Sequence, residues 1–124
     1  MELGAFSISL NVSNIEKSKN FYEALGFVIT GGDISQKWLI LRNGDSTTIG
    51  LFEGMFEKNM LTFNPGWNNQ AKEVNPFNDI RQIQKELMSK GIALDAIIDE
   101  NSSGPAHISL KDPDGNPVLI DQHR

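Results

Sequence analysis

Residues 6–27, FSISLNVSNIEKSKNFYEALGF, decide the fold. Phe6–Val12 alternates apolar and polar residues, the pattern of a strand with one buried face. Ser13 then stands as an N-cap ahead of Asn14–Leu25. In that stretch Ile15, Ser18, Phe21, Tyr22 and Leu25 recur at helical spacing, and Gly26 ends the run as a C-terminal cap does. Three strand-like stretches follow: Phe27–Thr30, Lys37–Leu41 and Thr47–Phe52. Gly31-Gly32 and Asn43-Gly44-Asp45 read as the turns between them. The order is βαβββ.

The second half repeats this order. Asp79-Ile80 through Gly91-Ile92 mirrors Asn14-Ile15 through Gly26-Phe27, with the glycine eleven residues after the isoleucine in both. His107–Leu110 echoes Trp38–Leu41, and Val118–Ile120 echoes Ile49–Leu51. Met60–Asn64 stands where Ser7–Asn11 stood, with a loop, Pro65–Pro76, inserted before its helix. A repeat of half the chain implies a duplicated module rather than a solenoid. The expectation is one α+β domain over 1–124, made of modules 3–57 and 59–122, with helices near Asn14–Leu25 and Asp79–Lys90.

Composition narrows the function. The net charge is −5 and the basic residues are scattered, a poor match to nucleic acid, which needs a concentrated positive surface. There is no cysteine, so disulfides, thiolate catalysis and thiolate metal sites are excluded. No apolar run reaches membrane-spanning length and no secretory signal precedes Phe6–Val12. The reading is a soluble cytoplasmic domain with no nucleic-acid or membrane partner.

Two signatures carry a family resemblance. Val12 followed by a helix with Ser18, Phe21, Tyr22, Leu25, Gly26 and Phe27 resembles the first-module pattern of the glyoxalase / bleomycin-resistance / extradiol-dioxygenase (vicinal oxygen chelate) superfamily. Lys111–Leu119 (KDPDGNPVL) is similar to its second-module hairpin. The resemblance implies two tandem βαβββ modules whose curved mixed sheets surround a pocket. By parity, Phe6, Ile8, Leu10, Val12, Leu39 and Leu41 should then pack under the first helix face of Ile15, Phe21, Tyr22 and Leu25. Ser7, Ser9, Asn11, Trp38, Ile40, Thr48, Gly50 and Phe52 should face the pocket, as should His107, Ser109, Leu119 and Asp121 in the second module.

In metal-dependent members of the family, His and acidic residues from four strands hold a divalent ion. The corresponding positions here are Ser7, Gly50, Met60 and Leu119, none of them a normal ligand for zinc, nickel or iron. Neither a metal nor another cofactor is expected. Three titratable groups stand as acid or base candidates. His107 is a pocket donor or general base, or else a hydrogen-bonded rim residue. Glu53 has the wrong parity unless a bulge turns it inward; otherwise it is a solvated strand end. Asp121 has the right parity for a pocket acid. His123 reads as a frayed tail, and Asp112, Asp114 and Gly115 as hairpin chemistry. Trp67 lies in the inserted loop, where it either folds over the pocket or contacts a second subunit.

The first reading is a metal-independent binder of a small organic molecule in an aromatic-lined pocket, working as a homodimer, with Met55-Phe56 and Met60-Leu61 fitting a dimer seam. The pocket set is Ser7, Ser9, Trp38, Gly50, Phe52, Met60, Trp67, His107, Ser109 and Leu119. The alternatives are a glyoxalase-like lyase or isomerase, with a relocated metal or His107 as acid/base, and a non-catalytic partner-binding module.

Overall fold

The alternation at the start of the chain forms β1, Ala5–Val12, and the helical spacing after it forms α1, Ile15–Ala24. These come from a computed structural model that describes residues 1–124. Next in order are β2 (Val28–Asp33), β3 (Trp38–Asn43), β4 (Thr47–Glu53), β5 (Met60–Asn64), α2 (Ile80–Ser89), β6 (Ala106–Lys111) and β7 (Pro117–Gln122). By contact the chain divides into two units, Ser7–Met60 and Leu61–Arg124 with Met1–Phe6. No helix is long and apolar enough to cross a membrane.

In the Ser7–Met60 unit, β1 runs parallel to β4, β4 antiparallel to β3, and β3 antiparallel to β2. The N-cap of α1 is Asn14 rather than Ser13, because the Asn14 side chain accepts the Lys17 N–H at 3.1 Å. At the other end Gly26 takes φ 98°, and the Phe27 N–H returns to the Tyr22 carbonyl, a closure that needs a left-handed residue. The core is Ile15, Leu39, Leu41 and Leu51, with Leu10, Val12, Tyr22 and Phe27 packed against it.

Several expected packings differ. Phe21 and Leu25 are 61% and 58% exposed instead of buried. At ~100° per residue Tyr22 returns to within about 20° of Ile15, whereas Phe21 lies about 120° away and Leu25 about 80°. Only Ile15 and Tyr22 therefore sit on the stripe that meets the sheet. Phe6 and Ile8 are likewise exposed, and only Leu10 and Val12 of their set reach the helix-side core. Gly31-Gly32 makes no turn: it lies inside β2 beside a bulge, where a Cβ on Gly32 would meet the Trp38 carbonyl oxygen at 2.6 Å. The turn falls instead at Ile34–Gln36, closed by Lys37 at φ 69°.

The second unit pairs its strands by the same scheme. β5 is parallel to β7, and β6 is antiparallel to β7. Asp79 caps α2 by accepting the Arg81 N–H, and Gly91 at φ 78° precedes an Ile92 N–H bonded to the Leu87 carbonyl. Its core is Ile80, Ile83, Leu87, Ile108 and Ile120. The counterpart of β2 is reduced to a single bridge between Ala96 and Ser109. Further along that segment the buried Gln84 amide replaces a strand partner, accepting from the Ile98 N–H and donating to the Ile98 carbonyl. The inserted loop is pinned by Arg124, whose guanidinium lies 4.2 Å from the Phe77 ring centre and donates to the Gly66 and Val74 carbonyls.

Candidate functional site

The face of the first unit's sheet that points away from α1 carries the side chains of interest. Leu39, Leu41 and Leu51 point to the helix, so alternation sends Trp38, Ile40, Thr48, Gly50 and Phe52 to the opposite face. The register aligns them in rows. Ser9 lies opposite Gly50, and Gly50 opposite Ile40; Asn11 lies opposite Phe52, and Phe52 opposite Trp38. Ser9 and Gly50 are buried, while Trp38, Ile40 and Phe52 are half-buried. Ser7, preceding the Ile8–Ile49 pair, falls beside Thr48 on the same face.

Trp38 and Phe52 are parallel within 7°, with ring centres 6.4 Å apart, and Phe56 tilts against Phe52 at 5.4 Å. The row continues into a shallow open depression lined by Asn11, Gly54, Met55, Phe56 and Glu57. Gly50 is what lets Phe52 lie flat on the sheet. A Cβ on Gly50 would stand 2.5 Å from Phe52 Cε2, 3.1 Å from its Cζ and 3.3 Å from Ile40 Cδ1. Any side chain at position 50 would have to displace that ring.

This bears on the metal-ligand positions. The donors available at Ser7, Gly50, Met60 and Leu119 are one hydroxyl and one thioether, and the ring of Phe52 fills the space from which an acid at position 50 would project. Nowhere in the chain do three His, Asp or Glu side chains gather closely enough to hold an ion. The donor set does not fit a divalent metal.

In the second unit, Ser109 lies opposite Leu119, Thr62 opposite Leu119 on the other side, and His107 opposite Asp121. His107 and Asp121 thus occupy the register that Trp38 and Phe52 occupy in the first unit. His107 is exposed. The Asp121 carboxylate instead pairs with His123, Oδ2 to Nε2 at 3.2 Å. His123 is no frayed tail: its ring stacks on Trp67 with centres 4.6 Å apart and planes within 6°. Hydrogen bonding to Asp121 raises the His123 pKa against the opposing effect of burial. Trp67 therefore packs within its own unit, on the strand end that carries His123.

β4 pairs with β3 without a register shift through Phe52, so no bulge turns Glu53 inward. Its carboxylate instead accepts the backbone N–H of Ile15, the first residue of α1, at 2.9 Å, with Lys37 Nζ 3.3 Å from its other oxygen. The Ile15 N–H, aided by Lys37, holds the Glu53 pKa below the usual carboxylate range. Gln122 does the same in the second unit, accepting the Ile80 N–H at 2.8 Å. Both residues directly follow the aligned pair Phe52 and Asp121. The repeat thus extends to the helix caps, a signal present in the sequence as an acid and its amide at matching positions. The Asp112 carboxylate accepts from the Asp114 and Asn116 N–H groups, and Gly115 takes φ 84°, as the hairpin requires.

No curated protein sequence is significantly similar to the chain. Solved structures are similar in fold at low identity. One described as an NAD-dependent benzaldehyde dehydrogenase from Legionella pneumophila matches with a TM-score of 0.71 at 16% identity, over 96% of this chain and 99% of that one. A glyoxalase/bleomycin resistance protein/dioxygenase superfamily member from Vibrio splendidus 12B01 matches with a TM-score of 0.57 at 15% identity, over 94% and 97%. Methylmalonyl-CoA epimerase of Streptomyces coelicolor matches with a TM-score of 0.58 at 14% identity, over 97% and 95%. At these identities the likeness is one of fold alone. The βα opening of the first unit, the hairpin of the second and a family-model match spanning residues 4–120 agree: the chain belongs to the Glyoxalase/Bleomycin resistance protein/Dioxygenase superfamily.

Proposed function

We propose that this protein binds a small organic molecule without a metal, on the sheet face carrying Trp38, Gly50 and Phe52. The observation that supports this most is the flat aromatic row over a floor without bulk: Trp38 parallel to Phe52, Phe56 beside it, and Gly50 beneath. Stacking and burial against such a surface supply affinity without an ion, and a few polar groups fix orientation. Ser7, Ser9 and Met60 complete the site in this reading, and within the second unit Trp67, His107, Ser109 and Leu119 are taken as ligand-facing residues of that unit's own sheet. We further propose that modules 3–57 and 59–122 form one domain, and that the protein is cytoplasmic and a homodimer. The exposed side chains of Phe21, Leu25, Val28 and Ile29 support the dimer; sedimentation at micromolar concentration as a monomer would count against it.

Trp38 provides the test. With Trp67 replaced by Phe, the remaining tryptophan emission reports Trp38 alone, since the chain has two tryptophans. Titration with uncharged phenylalkyl amides should quench or shift it saturably, and Phe52→Ala should weaken the effect. Unchanged emission up to the solubility limit would remove the main support for this reading. A glyoxalase-like lyase or isomerase is the rival. The Asp121–His123 pair favours it, as a carboxylate-oriented imidazole suited to acid–base work, in place of His107. Tight stoichiometric metal in protein purified without chelator would move that enzyme to first place.

A further inference from the structure

The aromatic row occupies one end of the β3–β4 face; the other end is polar. Arg42 lies opposite Thr48 in register, and Ser7 falls on the far side of Thr48. Arg42 follows Trp38 and Ile40 in the same alternation, so its side chain shares their face and not that of the buried Leu41. The Arg42 Nε and the Thr48 Oγ1 are buried, and neither has a hydrogen-bond partner within the protein. Arg81 and Arg124 each hold a carboxylate, whereas Arg42 is in no such pair. Buried polar atoms are nearly always satisfied, and leaving two together unsatisfied costs stability. Such a pair calls for a partner from outside the fold, either water or a ligand group that displaces it.

The chemistry identifies the complement. A guanidinium is a planar fork of donors matched to a carboxylate, and flanking hydroxyls add donors of the same sense. Arg42 and Trp38 are four residues apart on one strand, about 13 Å between their backbones at ~3.3 Å per residue. Between them the surface is Ile40 and the Phe52 ring, which covers Gly50, so a chain of methylenes would lie along Ile40 and that ring.

We propose that this face binds an elongated aryl-alkanoate, with its carboxylate on Arg42, Thr48 and Ser7 and its ring against Trp38 and Phe52. This rests on the binding reading above and adds the charge and polarity of the ligand. The probes are phenylhexanoate and phenylbutyrate with their uncharged amides, titrated by calorimetry and by the Trp38 emission. The acid should bind about 10–100-fold more tightly than its amide, the range of a charge-assisted hydrogen-bond pair. Arg42→Met should bring the acid down to the level of the amide and leave the amide unchanged. Arg42→Lys, which keeps the charge without the fork, should fall between. Trp38→Ala should weaken acid and amide alike. Arg42→Met should also melt at or above the wild-type temperature, since it removes an unsatisfied buried donor.

Equal binding of acid and amide, with Arg42→Met indifferent, would overturn the inference and leave the aromatic binding reading standing. Failure of every probe to bind at millimolar concentration, with Trp38→Ala indifferent, would overturn both. A melting temperature several degrees lower in Arg42→Met would show that Arg42 serves the fold, which also overturns the inference.

Discussion

Replacing Gln122 by Met tests whether the twin helix caps hold this fold in place. The substitution keeps length and volume but removes every hydrogen bond of the amide. Gln122 is 1% exposed, and its oxygen takes the Ile80 N–H at 2.8 Å. Its nitrogen donates to Asp79 Oδ2 at 3.2 Å and to the Arg124 backbone oxygen at 2.8 Å. Without Gln122 the Ile80 N–H is a buried donor at the start of α2 with no partner, a loss of about 1–3 kcal/mol. The two donated bonds add roughly 0.5–1 kcal/mol each, and the extra apolar burial of Met offsets part of this. The net expectation is ~2–4 kcal/mol. At about 2.1 cal/mol/K of unfolding entropy per residue, a chain of 124 residues loses ~8–15 °C in melting temperature. Thermal unfolding by circular dichroism, with urea titration for the free energy, measures it. A shift within about 2 °C would refute the reasoning, because the cap would then be replaceable by local relaxation.

The corresponding Glu53→Gln change keeps an oxygen for the Ile15 N–H but gives up the charge that strengthens that bond and pairs with Lys37. It should therefore lower the melting temperature modestly at neutral pH and converge on wild type in acid. It should thereby flatten the acid limb. The Glu53 pKa is lowered in the fold, so its stabilisation is present above the ordinary glutamate pKa and lost as pH falls through the folded value; an acid limb identical to wild type would contradict this. The His123 pKa is raised, so its pairing with Asp121 stabilises below the ordinary histidine pKa and fades as pH rises through the folded value. Titration of the His123 ring by NMR should show the upward shift, and Asp121→Asn should abolish it. Gly50→Ala forces Phe52 off the sheet and should lower stability by about 1–3 kcal/mol while altering Trp38 emission. Added zinc, nickel, iron or manganese should leave the melting temperature of the wild-type protein unchanged, since no donor set converges.

The fold was legible because its signals are local. A strand with one buried face, a capped helix and a glycine at its end each follow from a few neighbouring residues, and both halves carry them. Face assignment was legible where strands are regular: Trp38, Gly50 and Phe52 share a face because β3 and β4 pair without a shift. It fails at Phe21 and Leu25, whose apolar character predicts burial although their angles leave the stripe of Ile15 and Tyr22. The segment after α2 lost its strand because Gln84, distant in sequence, supplies the hydrogen bonds a neighbouring strand would have supplied. His123 looked like a loose end for the same reason: its partners are Trp67, in a loop far back along the chain, and Asp121. Arg42 was missed at a boundary. The strand runs through Asn43, one alternation beyond the apolar run that ends at Leu41.

Set side by side, the two units separate what the fold needs from what the face does. Glu53 and Gln122 differ in charge yet satisfy the same orphan N–H of their own unit's helix, at Ile15 and Ile80, because any carbonyl-type oxygen there closes the cap. One register position earlier, on the opposite face, Phe52 and Asp121 share no chemistry at all. Nor do their cross-strand partners Trp38 and His107. Alternation alone enforces this division, since odd and even positions of one strand answer to different neighbours. Residues on the helix side are constrained by a backbone donor that must be paired. Residues on the other side are constrained only by what lies against them, which is why one unit could acquire an aromatic row and a half-buried arginine while the other carries an imidazole and a carboxylate. The specificity of this protein is therefore to be sought in the side chains the two units do not share.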